Sequence, residues 1–187
     1  NRGCPFACSF CDWGSAIASK VINFDIERLN REIEWFSKNK IGFLFGTDAN
    51  FGIRKRDLDI AHSLAKAKNI NGYPNIFYVS HTKNSTKKIF DVAKVLCDAK
   101  LSKGVCLAMQ SMNKETLIAI KRDNISLNVF HELQSLYNQE GIPTFTELIL
   151  GLPMETYESF TGGVEQLIES GQHSQIFIYN CTVMPNA

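Results

Sequence analysis

Three cysteines open the chain in NRGCPFACSFC, spaced Cys4-x3-Cys8-x2-Cys11. Thiolates this close together can pair as disulfides, hold zinc or hold an iron–sulfur cluster. Structural zinc takes four protein ligands, commonly two Cys-x2-Cys pairs. Here the second pair is missing, because Cys97, Cys106 and Cys181 are scattered, as are the four histidines. Three thiolates can instead fill three corners of a 4Fe–4S cluster. The fourth iron then lacks a protein ligand and stays open to a substrate or cofactor. Pro5 restricts the loop's backbone, and the small Ala7 and Ser9 let it approach the sulfides.

The totals narrow the setting. Disulfide scaffolds are short and loop-rich, whereas this chain of 187 residues carries long periodic helices and apolar strands. Its cysteines therefore point to a reducing, cytoplasmic compartment. Cys97, Cys106 and Cys181 sit among apolar neighbours and read as small core residues. A net charge of +1 gives no chain-level attraction to nucleic acid or an anionic membrane. No apolar run approaches the roughly 18 residues of a spanning helix. The first residue is Asn and the cysteine cluster begins at once. We read residues 1–187 as the core of a longer protein whose N-terminal domain and C-terminal end lie outside the sequence.

Something must position the loop. Five short apolar runs recur: Ile41–Phe45, Ile76–Val79, Gly104–Met109, Thr144–Leu150 and Gln175–Tyr179. Their starts lie about 30 to 40 residues apart, the length of a β-α unit. Between them are helical stripes at period 3.6. These are Ile26/Leu29/Ile33/Phe36, Leu58/Ala61/Leu64/Ala65, Ile89/Val92/Ala93/Leu96, Val129/Leu133/Leu136/Tyr137 and Phe160/Val164/Leu167/Ile168. Ser126 and Thr156 suit helix N-caps and Gly141 a C-terminal stop. Alternating strands and helices imply a parallel sheet, and runs apolar on both faces imply strands buried on both. No GxGxxG or P-loop follows any strand. The expected fold is a partial (β/α)6 TIM-like barrel whose first strand, due just before Cys4, is truncated. Ligands of such barrels bind on the βα loops: the cysteine loop, 46–52, 80–85, 110–115, 151–156 and 180–186.

With the loop placed, CPFACSFC fits the pattern CxxxCxΦC, with Phe10 as the aromatic. It resembles the cluster motif of the radical S-adenosylmethionine (SAM) enzymes. ELILGLPMET resembles the family's fifth-strand segment and LAMQSMNKETLIAIKR its fourth-strand region. The resemblance implies that Cys4, Cys8 and Cys11 ligate the cluster and that SAM chelates the open iron through its amino and carboxylate groups. One electron then releases a 5′-deoxyadenosyl radical that takes hydrogen from substrate. A flavodoxin or ferredoxin would supply the electron, and the substrate would be a small molecule or peptide.

The same resemblance carries individual residues. The family's GGE appears here as Gly46-Thr47-Asp48, so Asp48 or the Thr47 hydroxyl would take the SAM ammonium. Ser80 and His81 would face the ribose or substrate, and His81 titrates in the range of proton transfer. Gln110 and Ser111 would contact ribose or carboxylate, and Arg122 the SAM carboxylate. Glu147 and Ile149 would flank the adenine, with Gly151 allowing close approach and Met184 edging the base. Finally, RGCPFACSFCDWG is similar to members with an upstream cobalamin-binding domain, which implies methyl transfer from methylcobalamin. Two other readings share these residues: another radical SAM activity, such as methylthiotransfer, and a non-catalytic metal-binding barrel.

Overall fold

The computed structural model describes residues 1–11, 20–82 and 87–183. Its elements run α1 (Ile26–Lys38), β1 (Phe43–Phe51), α2 (Arg56–Asn71), β2 (Ile76–His81), α3 (Lys87–Asp98), β3 (Val105–Cys106), α4 (Lys114–Ala119), α5 (Leu127–Gln139), β4 (Thr144–Leu150), α6 (Tyr157–Glu169) and β5 (Ile176–Asn180). Every strand pairing is parallel: β1 with β2, and β3 with β4 with β5. A bond from the Phe77 N–H to the Leu101 carbonyl, 2.9 Å, links β2 to the turn before β3. The strands thus follow sequence order along an arc, a partial barrel.

The helices form where their caps and stripes allow. Ser126 accepts the Val129 N–H. Thr156 and Ser159 exchange bonds in a reciprocal cap at the start of α6. Gly141 takes φ 66° just past the end of α5, in the left-handed region glycine tolerates. Ile33, Ile60, Leu64, Val92 and Leu96 from α1–α3 pack on Phe51 and Val79 of β1 and β2. A second core gathers Phe90, Phe130, Leu133, Tyr137 and Leu167 against Val105, Leu107 and Leu148. Val129 and Ile168, assigned to the buried stripes from the sequence, instead stay exposed at the stripe edges.

Three expectations change. The strand expected over Ile41–Phe45, with a loop at 46–52, instead runs from Phe43 to Phe51, with the register shifting between Gly46 and Phe51. The Gly104–Met109 run pairs as a ladder only at Val105 and Cys106, then again at an isolated bridge from Gln110 to Leu148. The strands are also not buried on both faces. Residues alternate across a strand, so Leu44, Val79 and Leu148 meet helices while their neighbours point into the arc. There Phe45 is 59% and Tyr78 53% exposed.

Candidate active site: the cysteine loop and the barrel cleft

The arc encloses a cleft of about 940 Å³. Cys4, Phe10 and Cys11 lie along it with Ala49, Tyr78, Ser80, His81, Cys106, Ala108, Gln110, Phe145 and Glu147. These come from the cysteine loop and from the inward positions of β1 to β4. The loop is held from two sides. The buried Asp57 accepts the Asn1 side-chain amide at 2.9 Å and the backbone N–H groups of Gly52 and Arg54 at 2.9 and 3.0 Å. That ties the chain start to the β1–α2 turn. The Ser9 N–H donates to the Ile120 carbonyl at 2.9 Å, docking the far side of the loop on the end of α4.

Two of the three sulfurs have a nitrogen-bearing side chain beside them. Asn50 Nδ2 lies 3.1 Å from Cys4 Sγ. The Arg122 guanidinium lies beside Cys8, which favours its charged form. Hydrogen-bond donors directed at sulfur suit an anionic thiolate, and three thiols in one loop suit a cluster with an open iron. Among the described residues, no three His, Cys, Asp or Glu side chains stand close enough to hold a metal ion as they are. A 4Fe–4S cluster places its three thiolates on three separate irons rather than on one ion; Cys11 borders residues 12–19, which lie outside the described residues.

Of the residues expected at the site, Cys4, Phe10, Cys11, Ser80, Gln110 and Glu147 share the cleft. Gln110 reaches it at a cost: its φ is 64°, uncommon for a residue with a Cβ. The surrounding ladder holds it there, its N–H donating to the Glu147 carbonyl at 2.7 Å and its carbonyl accepting the Ile149 N–H at 2.8 Å. His81 is largely enclosed, and its buried Nε2 has no hydrogen-bond partner among the described residues. That enclosure takes its pKa down to about 4, so the ring is neutral at pH 7.

Others go elsewhere. Gly46 faces the helices: a Cβ there would come within 2.8 Å of Val79 Cγ2, so its glycine serves strand packing. Thr47 is exposed and does not line the cleft. Asp48 is buried; its Oδ1 accepts the Asn50 N–H at 3.0 Å, while its Oδ2 has no hydrogen-bond partner among the described residues. Ser111 is turned to Glu155 of the α6 approach. Ile149 alternates onto the Glu147 side but lies outside the lining. Gly151 is required by its φ of 89°; its nearest contact is ordinary. Met184 lies outside the described residues.

Arg122 is buried behind Cys8. Its Nε donates to Asn124 Oδ1 at 2.7 Å and its Nη2 to the Ala108 carbonyl. Burial pulls this guanidinium below its ordinary value, while Cys8, Cys106 and Glu147 pull it up. Asn50 and Ala49 escaped the sequence reading because the register shift in β1 decides which of its residues meet the cysteines. Cys106 was read as core; it lines the cleft, and burial, then Glu147, push its thiol above the ordinary range.

Comparisons agree with this geometry. The Radical SAM superfamily model matches residues 1–167. The chain is 50% identical, over all its 187 residues, to a cobalamin-dependent radical SAM methyltransferase, TokK, of Streptomyces tokunonensis. It is 48% identical over the same length to the 2-(S-pantetheinyl)-carbapenam-3-carboxylate methyltransferase of Streptantibioticus cattleyicolor. It spans 28% of the length of each relative. Among solved structures, the radical SAM methyltransferase TsrM of Kitasatospora setae, bound to tryptophan and a SAM analogue, matches with TM-score 0.74 and 18% identity. That match covers 94% of this chain and 34% of TsrM. Coproporphyrinogen III oxidase (HemN) of Escherichia coli matches with TM-score 0.69 and 19% identity, over 100% of this chain and 44% of HemN. These two likenesses show the fold.

Proposed function

Because this chain belongs to the radical SAM superfamily, we propose that Cys4, Cys8 and Cys11 ligate a 4Fe–4S cluster and that the adjoining cleft takes SAM and substrate. The observation that carries this reading is the meeting of Cys4, Phe10 and Cys11 with Gln110 and Glu147 in one cleft. When bound, the cluster supplies an electron that splits SAM into methionine and a 5′-deoxyadenosyl radical. The residues of this chain orient the reactants and limit water. Phe10 covers the loop's apolar side. Ser80 and Gln110 offer hydroxyl and amide groups to the ribose, and Glu147 accepts hydrogen bonds on the adenine side. Asp48, whose buried Oδ2 has no hydrogen-bond partner among the described residues, takes the SAM ammonium, with the Thr47 hydroxyl as the alternative. His81, neutral at pH 7, accepts or donates one hydrogen bond without adding charge.

The wider activity follows from the relatives. At 48–50% identity they are methyltransferases, one cobalamin-dependent and one acting on a carbapenam carboxylate. We propose that the longer protein methylates a small molecule of that class, drawing the methyl group from cobalamin. A flavodoxin or ferredoxin in a reducing cytoplasm supplies electrons. Among the described residues no helix is long and apolar enough to cross a membrane.

The test is anaerobic reconstitution of the full-length protein with iron, sulfide and cobalamin. It is followed by SAM, a reductant and 2-(S-pantetheinyl)-carbapenam-3-carboxylate. The expected products are 5′-deoxyadenosine and a methylated carbapenam. A colourless, zinc-loaded protein that never cleaves SAM would overturn the reading. Replacing Cys4, Cys8 or Cys11 singly by Ala should abolish the broad cluster absorbance and 5′-deoxyadenosine formation together.

A further inference from the structure

We infer that Asn50 and Arg122 are positioning residues that hold donors on two cluster sulfurs and so raise the cluster's reduction potential. The inference rests on the assignment of Cys4 and Cys8 as cluster ligands. It differs from a SAM-carboxylate role for Arg122, because the side chain is committed elsewhere.

Both side chains are placed firmly. Asn50 is 1% exposed. Its backbone N–H donates to Asp48 Oδ1 at 3.0 Å, and its carbonyl accepts the Ile53 N–H at 3.1 Å. The Thr82 hydroxyl donates to Asn50 Oδ1 at 3.5 Å, which turns the NH₂ of the amide toward Cys4 Sγ, 3.1 Å away. Arg122 is 5% exposed. Asn124 fixes it and is itself anchored, donating to the Met109 carbonyl at 2.7 Å and the Ser111 carbonyl at 3.0 Å. The loop carrying Cys8 docks on Ile120, two residues before Arg122.

The chemistry of burial gives the direction. A buried cation is costly unless an anion answers it. Among the described residues, no carboxylate stands within ion-pair distance of Arg122. Its neutral partners are a carbonyl and an amide oxygen, which leaves the sulfur of Cys8 as its nearest anionic candidate. With its Oδ1 taken by Thr82, the buried Asn50 amide has the Cys4 sulfur as the acceptor for its NH₂. Reduction adds one electron to the cluster, with no bond broken and no proton taken up. The added charge spreads onto the sulfurs, where N–H donors and a buried positive charge stabilise it. Removing either group therefore lowers the potential. Arg122 has the larger effect because it brings a full charge.

The test is a redox titration with dithionite, followed by electron paramagnetic resonance, on full-length reconstituted protein without SAM. Asn50→Leu and Arg122→Gln should each move the midpoint to more negative potential, Arg122→Gln further. The double variant should show roughly the sum, because the two act on different sulfurs. Arg122→Lys, which keeps the charge but not the planar fork, should recover part of the shift. Variants that keep wild-type iron and sulfide content with an unmoved midpoint overturn the inference. If Arg122→Gln does not hold a cluster, Asn50→Leu and Arg122→Lys decide by the same criterion. Wild-type protein that forms no reducible cluster overturns the ligand assignment, and the inference with it.

Discussion

At the scale of single residues, the site separates side chains that declare their chemistry from those that acquire it by position. Cys4, Cys8 and Cys11 declare theirs, because thiolate donors at short spacing have few uses. His81 acquires its character. Its enclosed Nε2 favours the neutral ring, with a pKa near 4 against the usual 6.5. The sign follows from linkage. Below pH 6.5 the unfolded chain takes up a proton that the folded ring resists until about pH 4, so stability falls across that window as pH drops. His81→Gln should flatten that part of the profile, measured as urea midpoints from pH 7 to pH 4. An unchanged slope would show that the ring titrates normally. Gln110 is also positional, since its φ of 64° is imposed by the ladder around it. Nothing in the string AMQSM announces that.

At the scale of elements, caps and stripes were legible because they depend on near neighbours. Thr156→Ala removes a side-chain acceptor from the start of α6 and should cost about 1 kcal/mol of stability in urea unfolding. The extent of β1 was not legible. Gly46 and Asp48 look like the end of a strand, yet pairing with β2 carries the strand on to Phe51. The decisive interaction lies about 30 residues away in sequence, and a local pattern cannot contain it. Gly46→Val tests the consequence. Its first side-chain atom would fall 2.8 Å from Val79 Cγ2, and overpacking of this kind costs about 1–3 kcal/mol. Wild-type stability in that variant would mean the glycine is not there for packing.

At the scale of the whole molecule, the concave side of the parallel arc carries exposed aromatic side chains among the described residues. Phe45 stacks on Tyr78 with ring centroids 5.6 Å apart, and Phe177 on Tyr179 at 6.4 Å, largely in solvent. Contiguous exposed aromatics bind apolar probes. Residues 1–187 alone should therefore enhance the fluorescence of a hydrophobic dye, and Phe45→Ser with Tyr179→Ser should cut that signal several-fold. A double variant with undiminished signal would place the binding elsewhere. Runs that read as doubly buried are half covered by the described residues, because apolar composition reports what a strand can bury and not what covers it.

From the sequence alone come the proposed ligand set, the alternation of strands and helices, the helix caps and the resemblance that goes with them. Each depends on residue type and short spacing. Tertiary structure decided which polar groups reach the cysteines. Asn50 meets Cys4 because β1 shifts register, and Arg122 meets Cys8 because α4 presents the Ile120 carbonyl to the loop. Gly46, Asp48 and Ser111 were drawn into packing or internal bonds by the same contacts. Hydrogen bonds reach only about 3 Å, so their partners are chosen by how distant segments come together, which spacing along the chain does not encode.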